Sequence, residues 1–267
     1  MKALAARRHH RSAPVVLLLL ALLLTGAVYA IAQPASADAA QAAASESDVA
    51  AGQKLFQANC ATCHGVSAEG REAVDGGAGG PSLIGVGAAA VDFQVGTGRM
   101  PAQMNGAQIM AKPAQFDDEQ IAQLAAYVAS LGAGPAIPTE EQVDPTKGDV
   151  ATGGALFRTN CAMCHGVTGA GGALSQGKWA PALDETTPTH IYEAMQTGPQ
   201  SMPVFNDANI TPDEKRDIIA YLDAQREGSP GGLTLGSVGP VSEGLWAWVI
   251  GIGLLIGASV WIGAKSS

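Results

Sequence analysis

Past its first few residues, this chain has no basic cluster. Lys and Arg number 15 against 24 Asp and Glu. No stretch beyond Arg11 is dense in cations, so nucleic acid is not an expected partner. Cysteine is scarce too. Only four occur in 267 residues, confined to Cys60-Ala61-Thr62-Cys63 and Cys161-Ala162-Met163-Cys164. That confinement excludes a fold stapled by scattered disulfides. Aromatic residues reach only 5%. The length suits two modest domains rather than one large one.

Two segments are built for lipid. Val15 to Ala32 is an almost unbroken, leucine-rich apolar run behind Lys2, Arg7, Arg8 and Arg11. A positive flank followed by such a run is either a cleaved signal peptide or a retained signal anchor. Its length approaches the roughly 20 residues needed to cross a bilayer. Small-residue cleavage sites stand at Ala30-Ile31-Ala32 and Ala35-Ser36-Ala37. Under either reading the N-terminus stays inside and the following chain is exported. The second segment, Leu245 to Gly263, has Trp246 and Trp248 near one end and Trp261 near the other. Tryptophans at both ends suit the two headgroup regions, and Lys265 places the tail on the cytoplasmic side.

Between the spans the chain is acidic. Ten of the cations and all 24 acids lie there, a difference of −14. Such charge steers the exported part towards basic partners, or serves only to keep it soluble.

The exported part repeats itself. Gly52 to Cys60 (GQKLFQANC) aligns with Gly153 to Cys161 (GGALFRTNC) at an offset of 101, and the match continues through His64-Gly65-Val66 and His165-Gly166-Val167. Further on, Pro81 and Leu83 answer Pro181 and Leu183. Thr97-Gly98-Arg99-Met100-Pro101 answers Thr197-Gly198 and Met202-Pro203. Each unit closes with an amphipathic helix, from Asp117 with Tyr127 and from Thr211 with Tyr221. The repeat is therefore a whole duplicated domain.

Each copy holds Cys-x-x-Cys-His. Two thiols three positions apart on a helical turn can form thioethers to both vinyl groups of one haem edge, and the adjacent histidine then sits beneath the iron. A zinc ribbon would bring its Cys pairs about 15–20 residues apart, whereas nearly a hundred separate these. A thioredoxin-like site needs a βαβ context that the Gly-rich sequence after each motif does not provide. The expectation is covalent haem c at Cys60, Cys63 and His64, and again at Cys161, Cys164 and His165.

The sixth iron ligand separates electron carriage from substrate chemistry. Met100 and Met202 lie 36 and 37 residues after their histidines, each directly before proline. Thioether plus imidazole saturates the iron and raises its potential. A lone methionine is more often core filler, but the matched position in both repeats favours ligation. Pro81 and Pro181 can offer carbonyls to the histidine Nδ1–H groups. Gly52 with Phe56, and Gly153 with Phe157, suit a helix that crosses the closing helix closely, with Tyr127 and Tyr221 at the crossing. His190 has no counterpart in the first repeat and reads as a surface or core histidine rather than a third ligand.

Each repeat resembles the small all-helical class I cytochrome c domain. The whole chain resembles the dihaem cytochrome c subunit of the actinobacterial-type quinol–cytochrome c reductase, the cytochrome bcc complex. The most specific stretches are Gly80-Pro81-Ser82-Leu83-Ile84-Gly85-Val86-Gly87, Thr97–Pro101, Thr197–Pro203 and Thr211–Ile218. The resemblance implies an all-α fold of two tandem cytochrome c domains at 46–133 and 148–228. Composition and hydropathy place a low-complexity tether at 35–47, linkers at the proline-bearing 134–147 and the Gly-, Pro- and Ser-rich 229–243, a transmembrane helix at 244–263 and a signal or anchor segment at 1–36. The resemblance also implies a cytochrome b subunit, a Rieske iron–sulfur subunit and a terminal haem–copper oxidase as partners. Electrons from menaquinol would pass through the two haems on the outer face of the cytoplasmic membrane, entering by the first. The alternatives are a stand-alone tethered shuttle and a dihaem peroxidase-like enzyme; the matched methionines argue against the latter.

Overall fold

A computed structural model of the chain describes residues 13–32, 45–73, 79–103, 108–227 and 240–264. The cationic flank from Lys2 to Arg11, the Ala35-Ser36-Ala37 site, residues 35–44 of the 35–47 tether, residues 229–239 of the 229–243 linker, and Lys265 lie outside the described residues, while residues 240–243 belong to the terminal helix.

The N-terminal unit contains helix α1, Ala13–Ala32. Leu17 to Leu20 and Leu22 to Leu24 are all exposed. Thr25 returns its hydroxyl to the Ala21 carbonyl at 2.8 Å, which satisfies a side-chain donor that an apolar solvent would penalise.

The rest of the described chain forms a second unit built from the two repeats and a terminal helix. The first repeat holds α2 (Glu46–Asn59), α3 (Ala61–His64), α4 (Gly87–Gly96) and α5 (Asp118–Ser130). Local chemistry sets these boundaries. Ser45 caps α2 by accepting from the Asp48 N–H, and Asp117 caps α5 in a reciprocal box with Gln120, satisfying amides that a helix start leaves bare. The second repeat holds α7 (Val150–Asn160), α8 (Ala162–His165), α9 (Pro188–Thr197) and α10 (Pro212–Glu227). Asp149 and Thr187 cap α7 and α9, and Gly198 ends α9 in the left-handed region. The reading as all-α holds, apart from two-residue strands β1 (Gly172–Ala173) and β2 (Trp179–Ala180), paired antiparallel with Gly172 opposite Ala180.

Each repeat has its own core. Phe56, Val91, Leu124 and Val128 anchor the first, and Phe157, Ile191, Ile218 and Leu222 the second. In both, the opening helix crosses the closing one at a glycine. A Cβ at Gly52 would run into the Gln123 carbonyl, and one at Gly153 into the Asp217 carbonyl. Close approach then stacks Phe56 on Tyr127 and Phe157 on Tyr221, with ring centroids 5.3 and 5.5 Å apart.

The segment between the repeats is ordered. Pro135 accepts from the Ala89 N–H, Ile137 packs on the first core, and Thr139 caps a helical turn α6 (Glu140–Val143). Gln142 then reaches the Tyr192 hydroxyl at 3.2 Å. The repeats meet where α4 packs against α9. Beside that seam, the Gln108 side chain both donates to the Trp179 carbonyl and accepts from its N–H, each at 2.9 Å.

Helix α11, Pro240–Ala264, follows. Its Gly244–Ala264 stretch is long and apolar enough to cross a membrane and buries none of that surface within the protein. Trp246, Trp248 and Trp261 are all exposed.

Candidate functional site

Both Cys-x-x-Cys-His motifs fold into a short helical turn after the long opening helix. The turn begins at the cap of that helix, where Cys60 N–H bonds the Phe56 carbonyl and Cys161 N–H the Phe157 carbonyl, both at 2.8 Å. It ends at Gly65 and Gly166, whose φ of 83° and 74° belongs to the left-handed side. The chain then doubles back. Gly70 N–H reaches the His64 carbonyl and Gly171 N–H the His165 carbonyl, again at positive φ. Any Cβ at these two glycines would press on the backbone around Pro81 and Pro181. Each proline is thereby held over its histidine.

The rings are oriented by those prolines. His64 Nδ1 lies 2.8 Å from the Pro81 carbonyl and His165 Nδ1 3.0 Å from the Pro181 carbonyl. A carbonyl only accepts, so Nδ1 carries the proton and Nε2 keeps its lone pair for a metal. Both histidines are buried. Burial lowers the His165 pKa, with the Pro181 contact acting the other way, and the neutral ring is the ligating form. At Gly80 a Cβ would come within 2.8 Å of His64 Cε1, so only glycine leaves that ring its place.

The four cysteines form no disulfide within or between the two motifs. Burial, with Cys63 adding to it, pushes the Cys60 thiol up to about 11; burial and Cys164 push Cys161 up to about 11. Dithiols that exchange disulfides need the opposite shift. The shift speaks against a disulfide-exchanging pair, and the donor set of two thiols and one Nε2 per turn fits haem c.

Met100 and Met202 are each half-buried, on the cluster that also packs the first cysteine of their own repeat. Each follows a glycine at positive φ, Gly98 or Gly198. The other described methionines differ: Met195 is a core residue at 2% exposure, while Met110 and Met163 face solvent.

Some supporting contacts escaped sequence reasoning, although Tyr221 itself was read at the helix crossing. Arg71 Nη1 holds the Thr62 carbonyl inside the first attachment turn at 3.0 Å. Arg226 donates to the Leu183 and Thr186 carbonyls, and Tyr221 to the Val167 carbonyl. Gly70 and Gly171 were findable, since the same offset of 101 relates them.

Comparison with known proteins agrees with this geometry. Residues 49–132 match the family "Cytochrome c", and residues 148–222 match "Cytochrome C oxidase, cbb3-type, subunit III". Three curated relatives carry the name "Cytochrome bc1 complex cytochrome c subunit". The Corynebacterium efficiens protein is 48% identical over 82% of this chain and 77% of its own length. That of Corynebacterium diphtheriae is 45% identical over 80% of each. That of Mycobacterium bovis is 43% identical over 92% of this chain and 88% of its own. The chain thus carries two cytochrome c domains, and its two cysteine pairs fit covalent haem c.

Proposed function

The chain belongs to the family of cytochrome c subunits of the cytochrome bc1 complex, and on that premise we propose that it is the dihaem relay of a menaquinol-oxidising reductase. It takes electrons from a Rieske iron–sulfur subunit beside a cytochrome b subunit and delivers them to a terminal haem–copper oxidase. Cys60 and Cys63 would anchor one haem, with His64 and Met100 holding its iron; Cys161 and Cys164 would anchor the other, with His165 and Met202 holding its iron. When bound, each haem supplies a one-electron iron couple whose potential is raised by thioether ligation. The chain's own part is to fix the imidazoles through Pro81 and Pro181, supply a sulfur from the same core, and keep both sites tethered. The haem domains lie on the outer face of the cytoplasmic membrane, held by α11 with its tail inside.

The observation that carries this reading is the duplicated site. Both repeats offer the same attachment turn, the same proline-oriented histidine and a half-buried methionine on the same core. Tethering also supports it, since it raises the effective concentration at a docked oxidase without a soluble carrier.

Detergent purification through a tag on this chain tests the proposal. The expected preparation contains cytochrome b, Rieske and oxidase subunits, with two haems on this chain surviving a denaturing gel. A chain that purifies alone with both haems would point to a free-standing tethered shuttle, and one haem or none would overturn the site assignment.

A further inference from the structure

Three metal-binding side chains converge on the seam between the repeats, and the proposed haem chemistry uses none of them. Asp92 comes from α4 of the first repeat, and His190 and Glu193 lie three positions apart on α9 of the second. One ligand atom from each lies within 4.8 Å of the others, and His190 Nε2 stands 3.6 Å from Asp92 Oδ2. Glu193 is fully buried, at 0% exposure; no donor group reaches either of its carboxylate oxygens, and the group within side-chain hydrogen-bonding reach is another carboxylate, Asp92. Such a group is costly, and native interiors hold few of them. The His190 ring is positioned by Phe93, edge-on with centroids 6.0 Å apart. Gly96 leaves it room, because a Cβ there would lie 3.0 Å from Nε2.

A proton is one way to quiet the buried charge. Burial and the facing Asp92 carboxylate push the Glu193 carboxyl up to about 10. A dication accounts for more: it neutralises both carboxylates and also occupies the imidazole. One nitrogen and two oxygens select a borderline first-row ion over Ca²⁺ or Mg²⁺, which favour all-oxygen shells. Tetrahedral zinc with bonds of about 2.0–2.2 Å spaces its ligand atoms roughly 3.3 Å apart. The 3.6 Å His190–Asp92 separation is already close to that, and the Glu193 ligand atom lies within 4.8 Å of the other two. Asp92 and His190 keep 23% and 20% of their side-chain surface exposed, leaving a way in for the ion and for a water as fourth ligand.

We propose that Asp92, His190 and Glu193 form a zinc-type divalent transition-metal site that clamps the two repeats across their seam. Because the ligands come from both repeats, an occupied site ties α4 to α9 and holds the spacing of the two haem-binding turns.

The test uses the full chain in its detergent-purified complex, stripped with a chelator, re-exposed to micromolar zinc chloride and dialysed. Zinc is counted against covalent haem by mass spectrometry, for the wild type and for Asp92→Asn and Glu193→Gln. The expected result is one zinc equivalent per chain in the wild type that is absent from both variants, with haem content and absorption unchanged. A zinc-dependent rise in melting temperature should accompany it in the wild type alone. Glu193→Gln keeps the shape of the buried side chain. Should it nonetheless fail to take up haem, the partly exposed Asp92→Asn decides. Equal zinc in wild type and folded variants, or no retained equivalent in the wild type, overturns the proposal.

Discussion

The two repeats agree at the attachment turn and part company behind it. In the first, the loop after His64 closes through an isolated bridge between Arg71 and Gly80; in the second, the corresponding loop is a short hairpin, Gly172 to Ala180. The first core leans on small residues, with Ala68, Ala88 and Ala125 all buried. The second sinks Lys215 to 0% exposure, 2.5 Å from Asp207 and over the Tyr192 ring. Its hairpin also presents Trp179 to Gln108 of the first repeat. What repeats is the geometry that holds a histidine and a methionine. What diverges is the scaffold and the face each copy turns to the other. Duplication kept the chemistry and released the surface.

The sharpest way to break that comparison is to empty one repeat. Replacing Cys60 and Cys63 by serine should cut covalent haem per chain by about half, read by haem staining on a denaturing gel. Separate cores predict that the second repeat keeps its share, and the reciprocal change at Cys161 and Cys164 should mirror the result. Loss of all stain from either change would mean the repeats mature as one.

Next come the helix crossings, where the copies should respond alike. Gly52→Val and Gly153→Val each force a branched side chain against a carbonyl of the closing helix. Each should cost about 3 kcal/mol, roughly 15 °C in the melting of its own repeat followed by haem absorption. A large effect in only one would show that the crossings are not equivalent.

Asp207→Asn probes a feature of the second repeat alone. It leaves the Lys215 ammonium buried without its counter-charge. The cost should be about 2 kcal/mol, moderated because Asp207 is 54% exposed. Lys215→Met, which removes the charge itself, should cost less in the same thermal melt. The reverse ranking would assign the stabilisation to packing of the lysine stem.

The smallest expected effect lies at the contact between the copies. Gln108→Ala removes two hydrogen bonds to the Trp179 backbone, worth about 1 kcal/mol. Hydrogen exchange at the Trp179 amide should quicken roughly fivefold. Unchanged exchange would mean that the α4–α9 packing holds the seam without help.

These contrasts explain what was legible beforehand. The attachment residues, the prolines over the histidines and the glycine crossings could be read because each is dictated by a short-range rule and written twice at a near-constant offset. The seam is written once. Gln108 has no matching partner in the other copy, and although Asp92 and Glu193 stand at the same offset of 101, contact between two domains follows no periodicity. His190 and Glu193, three apart on one helix, carried the only local hint. The order inside the linker was not read, although Thr139 and Gln142 spell a capping box. The hairpin was beyond reach, since strands of two residues leave no alternation to detect.

That linker has a mechanical meaning. It is fastened to the first repeat at Pro135 and Ile137, and to the second by Gln142, so only about four residues run between fastenings. Fully drawn out they span roughly 14 Å. A chain joined this way has almost no slack. Pulled apart by optical tweezers, it should show no soft extension before the seam yields. A load applied to one repeat would then reach the other nearly undiminished, as through a coupling rod rather than a rope.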